Sequence, residues 1–132
     1  MHIVYDSPYF QVDYDAMHDV VVLRRHAQKY ASLEALPPAF DAVIAALKPF
    51  TDRPLLTDVR KAPGNNDPLW ETQLKIQVKR LAQMFAVRAS LVATAAGKLQ
   101  LQRLARERGD ISNNVFTDEK EALAYLAAHR RS

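Results

Sequence analysis

Residues 55–70, LLTDVRKAPGNNDPLW, admit few local structures and so constrain the rest of the chain. Leu55, Leu56 and Val59 form a short apolar run that reads as a buried strand. Ala62, Pro63, Gly64, Asn65 and Asn66 break it into a loop. Asp67 followed by Pro68 then marks a helix start. The Asp side chain accepts from free first-turn N–H groups, and proline has no N–H to lose there. A buried strand feeding a helix through a loop is a unit of open α/β sheets, where ligand or partner sites gather at strand carboxyl ends.

The flanking chain repeats this theme. Residues 2–5 and 9–14 are strand-like around Asp6-Ser7-Pro8. In the second run Phe10, Val12 and Tyr14 alternate with Gln11 and Asp13, a period of two that predicts a half-buried strand with its polar positions facing water. His18 and Asp19 sit in the turn before residues 20–25, whose first four are continuously apolar, and an antiparallel hairpin opens the sheet. Ser32 has N-cap chemistry, but Pro37-Pro38 either follows a short turn or starts the helix itself, which runs to Leu47 with a stripe of Phe40, Val43, Ile44 and Leu47. Pro49 ends it.

The Asp67 helix is expected to reach about Phe85, burying Trp70, Leu74, Val78, Leu81 and Phe85 on one face. Leu69, Ile76 and Met84 widen that stripe beyond what one sheet contact needs. The surplus would suit a neighbouring helix or a second subunit, which makes a homodimer one expectation. Residues 87–95 read as a strand covered on both faces. A helix follows over residues 98–108, with Leu101, Leu104 and Ala105 inward and Gly109 as C-cap. Residues 113–116 form a short strand. Thr117 is read as the cap of a last helix with Ala122, Leu123, Tyr125 and Leu126 buried, acids at its start and Arg130-Arg131 at its end, as the helix dipole favours. The order is β-β-α-β-α-β-α-β-α, which predicts a mixed, mostly parallel sheet with about four packed helices in one α/β domain over residues 1–132.

Composition narrows the function classes. The chain of 132 residues is 48% hydrophobic and 25% charged, values of a globular domain. Without cysteine there is no disulfide framework, thiolate metal site or cysteine nucleophile. No apolar run approaches the roughly 20 residues of a membrane span. The N-terminal segment lacks the basic-then-apolar pattern of a signal peptide, so a cytoplasmic protein is expected. Net charge is +3, unevenly spread: residues 1–66 hold 7 Lys/Arg against 8 Asp/Glu, and residues 67–132 hold 11 against 7. The excess on Lys75, Lys79, Arg80, Arg88, Lys98, Arg103, Arg106 and Arg108 reads best as solvated helix faces. Aromatic residues do not interleave with it, which argues against nucleic-acid binding.

The opening VVVLRRHA, the central LLTDVR, the apolar ASLVATA and the closing VFTDEKEALAYLAAH together resemble the SpoIIAA-like branch of the STAS superfamily, the sulfate-transporter and anti-anti-sigma-factor domain. The closing segment, a short strand with Phe, then Thr-Asp-Glu, then an Ala/Leu helix, is the most telling piece. The resemblance implies a small bacterial cytoplasmic module that works by protein–protein contacts, in a regulatory or scaffolding role, rather than by catalysis. In the anti-sigma antagonists of the family a serine near the start of the helix after the central strand is phosphorylated. Here residues 58–71 contain no Ser or Thr, so that switch has no hydroxyl to act on.

The best site candidate is the loop after the central strand. Arg60 and Lys61, with Asn65 and Asn66 and the helix N–H groups, would contact an acidic partner segment or hold an anion. The plainer reading is turn chemistry, with Asp67 occupying the same N–H groups. One glycine is too few for a phosphate cradle. Asp58 has no second carboxylate at useful spacing, and the four histidines show no ligand spacing, although His18 and His26 would approach across the hairpin. No metal, cofactor or catalytic constellation is therefore expected. The function read from sequence is a non-enzymatic module, or alternatively a small-ligand or anion-binding domain using this loop.

Overall fold

The computed structural model describes residues 1–64, 67–107 and 113–130. Arg108, Gly109 and Arg131 lie outside them. Six strands form one sheet whose spatial order is their chain order: β1 (His2–Asp6), β2 (Phe10–Asp15), β3 (Val20–Arg25), β4 (Leu55–Asp58), β5 (Arg88–Leu91) and β6 (Asn113–Phe116). The pairs β1–β2 and β2–β3 are antiparallel, and β3 through β6 are parallel. The helices are α1 (Leu36–Leu47), α2 (Pro68–Ala82), α3 (Ala95–Glu107) and α4 (Glu119–His129). The mixed α/β sheet and the four helices match the expected class, but three strands precede α1 where the sequence pattern gave two. Residues 2–6 pair with β2 through an irregularity between Ile3 and Tyr5 and form a mostly exposed edge strand.

Strand alternation divides the core into two layers. Phe10, Val12, Val21, Leu23 and Leu55 face α1 and α2, meeting Leu36, Phe40, Val43, Ile44, Leu47, Leu81 and Phe85. Val20, Val22, Leu56, Ala89 and Leu91 face α4, meeting Ala122, Leu123 and Leu126. Residues Val20 to Leu23 are buried on both faces, as a continuous apolar run requires. The α1 stripe is buried as its spacing predicts. A 3-10 turn (Leu33–Ala35) leads into α1 with no side-chain cap from Ser32, and Pro37-Pro38 fall in its first turn, where proline is tolerated. A second 3-10 turn (Lys48–Phe50) follows. Asp67 caps α2 as expected, its carboxylate accepting from the Leu69 N–H at 2.9 Å. The cap of α4 is Asp118, not Thr117, and it accepts from the Glu121 N–H.

The largest departure lies in α2. Its wholly buried residues are Gln77 and Leu81, while Leu69, Leu74, Ile76 and Val78 are exposed. Spacing alone placed Leu74 and Val78 inward, but α2 packs chiefly against α1 and turns Gln77 and Leu81 inward instead. Trp70 is half-buried and stacks on Tyr30 at 6.1 Å, and Phe85 enters the core beyond the end of the helix. α3 likewise buries only Ala105, with Leu101 and Leu104 half-buried and Leu99 exposed. At the edge formed by the amino ends of the parallel strands, Asp19 adopts φ 56°, a left-handed conformation that aspartate tolerates. It accepts from Tyr14 and pairs with Arg53 and Arg130, tying the β2–β3 turn to the segment before β4 and to the end of α4.

Replacing Leu81, 5% exposed, with alanine should cost about 2–5 kcal/mol, whereas Leu74→Gln should stay within about 0.5 kcal/mol. Urea denaturation of the two variants checks which residue the core uses.

Candidate functional site

The carboxyl ends of β3 and β4 carry charge where their interiors carry only apolar side chains and Thr57. Arg24 and Asp58 are direct neighbours in the parallel register, and Arg24 lies diagonal to Asp13 across the antiparallel pair. These three side chains alternate onto the α4 face, so Glu119 in the first turn of α4 meets them. The Arg24 guanidinium donates from Nε to Asp13 at 2.7 Å, and from Nη1 to Asp58 at 2.8 Å and Glu119 at 2.6 Å. Arg60 completes the group. Its Nε and Nη2 take the two oxygens of Asp58 side-on at 3.0 and 2.9 Å, and Nη2 reaches Glu119 at 3.3 Å. Such bidentate pairs are the strong, geometrically specific kind.

Electrostatics follow from this packing. Burial raises the Asp58 pKa, but hydrogen bonds from the Arg60 side chain and backbone and from Arg24 outweigh it, leaving the carboxyl below its ordinary value. Burial also works against the Arg24 charge, and Glu119, Asp13 and Asp58 overcome it, so its pKa rises. The Arg60 pKa rises chiefly through its hydrogen bond to Asp58. The expectation that the polar positions of β2 face water is overturned here. Asp13 is 4% exposed because it serves Arg24, and Asp15, 8% exposed, holds His18 at 2.7 Å.

Arg24, Asp58, Arg60 and Glu119 line an open cleft of about 340 Å³, together with Gln11, Arg25, His26 and Lys61. Two of the loop candidates therefore reach one site. Arg60 is there but committed to Asp58, and Lys61 is exposed on the rim. Asn65 and Asn66 lie outside the described residues. Arg24, Arg25, Asp13 and Glu119 were not singled out by sequence reasoning. The available signal was a pair of arginines ending a wholly apolar strand, beside a strand ending in Asp.

The cleft differs from the usual crevice of open α/β sheets. Such crevices form where adjacent strand–helix connections leave toward opposite faces. Here α1 and α2 pack on the same face, so no such divergence occurs between β3 and β4. The cleft opens instead where β3 borders the antiparallel β2, between the residues after β3, the loop after β4 and the start of α4. His18 and His26 do not meet, since they flank opposite ends of β3; His26 pairs with Asp6 at 2.9 Å. Among the described residues no group of three or more His, Cys, Asp or Glu side chains is placed to hold a metal.

Asp58→Ala leaves two arginines without their shared carboxylate and should cost about 3 kcal/mol at pH 7, within the range for breaking a buried pair. Because the folded pKa lies below the ordinary 3.8, the Asp58 contribution is complete above that value and is lost as pH falls through the folded pKa. The stability gap between wild type and Asp58→Ala should stay constant from about pH 7 to pH 5 and close below about pH 4, as read by denaturant titrations at each pH.

Comparison with protein-family models, curated proteins and solved structures returns no match to this chain.

Proposed function

We propose that the chain is a non-enzymatic, STAS-like binding module that takes an acidic segment of a protein partner at the carboxyl-end cleft. The observation that carries this reading is the charge of the cleft. Four Lys/Arg side chains line it against two carboxylates, and both carboxylates are already gripped by Arg24 and Arg60. Arg24 also holds Asp13 behind the lining, so four cations meet three carboxylates, and the cation at the rim without a carboxylate partner among the described residues is Lys61. The held-down pKa of Asp58 supports binding over acid–base chemistry, since a carboxylate fixed in its ionised form is a poor proton donor near neutral pH.

The alternative, a small-ligand domain, draws on the cleft volume, which falls at the low end of the range for small-molecule sites. Those sites are mostly apolar and enclosed. This one is open and lined by charged and polar side chains, which favours a solvated acidic chain segment. The element order and the closing strand–helix segment support the STAS-like assignment, and with it a regulatory or scaffolding role in a bacterial cytoplasm. The absence of Ser and Thr from residues 58–71 sets this chain apart from members switched by phosphorylation at that position.

Lys61 is the residue to test, because reversing Arg60 would set a third carboxylate beside Asp58 and Glu119. An octaglutamate peptide should bind the full chain and weaken as salt rises. Lys61→Glu should reduce that affinity by about tenfold, close to 1.4 kcal/mol, with an unchanged melting curve. Equal binding by wild type and variant, measured by fluorescence anisotropy, would contradict the reading.

A further inference from the structure

A second surface lies on the face of the sheet opposite α4. The parallel connections β4–α2–β5 and β5–α3–β6 run in one direction along the sheet. Right-handed crossovers therefore set α2 and α3 side by side on the same face, away from α4. Among the described residues nine large hydrophobic side chains are exposed, and five of them lie on these two helices. They are Leu69, Leu74, Ile76 and Val78 on α2, and Leu99, 67% exposed, on α3. The five are spread out rather than gathered in one line. By helical spacing Leu69 and Ile76 share the flank of α2 that carries Arg80, whose guanidinium pairs with Asp41 of α1 at 2.9 Å. Leu74 and Val78 lie on the other flank.

Charge is mixed among these side chains. The two helices hold six Lys/Arg against two Glu. Arg80 is held by Asp41, and Lys75 approaches Glu71 at 3.8 Å. Lys79, Arg103 and Arg106 are exposed and have no ion-pair partner among the described residues. A second copy docked through the same face would set these cations against themselves, a costly juxtaposition. A nucleic acid would answer the charge but not the aliphatic side chains, and Trp70, the one aromatic ring on the two helices, is half-buried against Tyr30. A rigid partner helix covers one line of side chains, not both flanks of α2 together with α3. An anionic bilayer answers both features. Its headgroups attract Lys and Arg, and its interface takes aliphatic side chains wherever they lie.

We propose that α2 and α3 dock this protein peripherally on an anionic lipid bilayer, with Leu69, Ile76 and Leu99 in the interface and Lys79, Arg103 and Arg106 on the headgroups. The long Lys and Arg stems lie along the apolar boundary while their charged ends stay with the phosphates and water. The contact is one of surface alone, since no helix among the described residues is long and apolar enough to cross a membrane. It stands apart from the acidic-segment reading, because none of these six residues lines the carboxyl-end cleft.

Vesicle flotation of the full chain separates the two contributions. Vesicles of phosphatidylcholine with about 30% phosphatidylserine should hold the protein about tenfold more tightly than phosphatidylcholine alone, and rising salt should weaken the binding. Lys79→Glu combined with Arg103→Glu should lower the partitioning about tenfold, and so should Ile76→Gln combined with Leu99→Gln, each with an unchanged melting curve. Equal binding to the two kinds of vesicle overturns the proposal. So does a loss confined to the charge-reversed variant, which would place the aliphatic side chains outside the contact. A dimer in sedimentation that Ile76→Gln with Leu99→Gln abolishes would assign this face to a second copy, and tighter binding to a DNA duplex than to the anionic vesicles would assign it to nucleic acid. Either result overturns the proposal as well.

Discussion

The Arg24 guanidinium is the point on which the end of the sheet depends. One side chain at the end of β3 joins β2 through Asp13, β4 through Asp58 and α4 through Glu119. At an effective dielectric near 20, a unit pair at 4 Å is worth about 4 kcal/mol before desolvation, so three partners are enough to hold a half-buried cation. The arrangement also fixes geometry. α4 packs on one face through Ala122, Leu123 and Leu126, and apolar contact alone permits it to slide. Glu119 in its first turn, bound to Arg24 and Arg60, sets where along the sheet the helix begins.

The same strand then yields two kinds of arginine. Successive side chains of a strand point to opposite faces. Arg24 therefore falls among carboxylates on the α4 side, and Arg25 falls among aromatic rings on the other. The first is spent on structure. The second is buried at the cost of desolvation and is packed by Tyr9, Phe10 and Tyr30. On the α4 side Arg24 and Arg60 meet three carboxylates, Asp13, Asp58 and Glu119, so the cation left to an acidic ligand at the rim of the cleft is Lys61.

Much of the fold was legible in the residues. The continuous apolar run of Val20 to Leu23 identified a strand covered on both faces, the spacing of Phe40, Val43, Ile44 and Leu47 identified α1, and Asp67-Pro68 marked the start of α2. The site was legible only in part. Arg60 and Lys61 follow from their place after β4, but Arg24 meets Asp58 and Glu119 across 34 and 95 residues, separations that no local pattern carries. Asp13 alternated correctly with Val12 and Tyr14, yet alternation says only which face a side chain takes, and both faces of this sheet are covered. α2 misled for the opposite reason. Its stripe had helical spacing, but the helix packs chiefly on α1 through the side that carries Gln77 and Leu81, so Leu74 and Val78 stay exposed.

The account turns on Arg24 and Asp58 acting as one unit across β3 and β4. A double-mutant cycle with Arg24→Met, Asp58→Leu and the combined variant, followed by urea denaturation at pH 7, measures that coupling directly. The predicted interaction energy is about 2 kcal/mol, with the double variant more stable than the sum of the single losses would allow. Losses that add to within about 0.5 kcal/mol would show that the two side chains are merely neighbours, and would contradict the account.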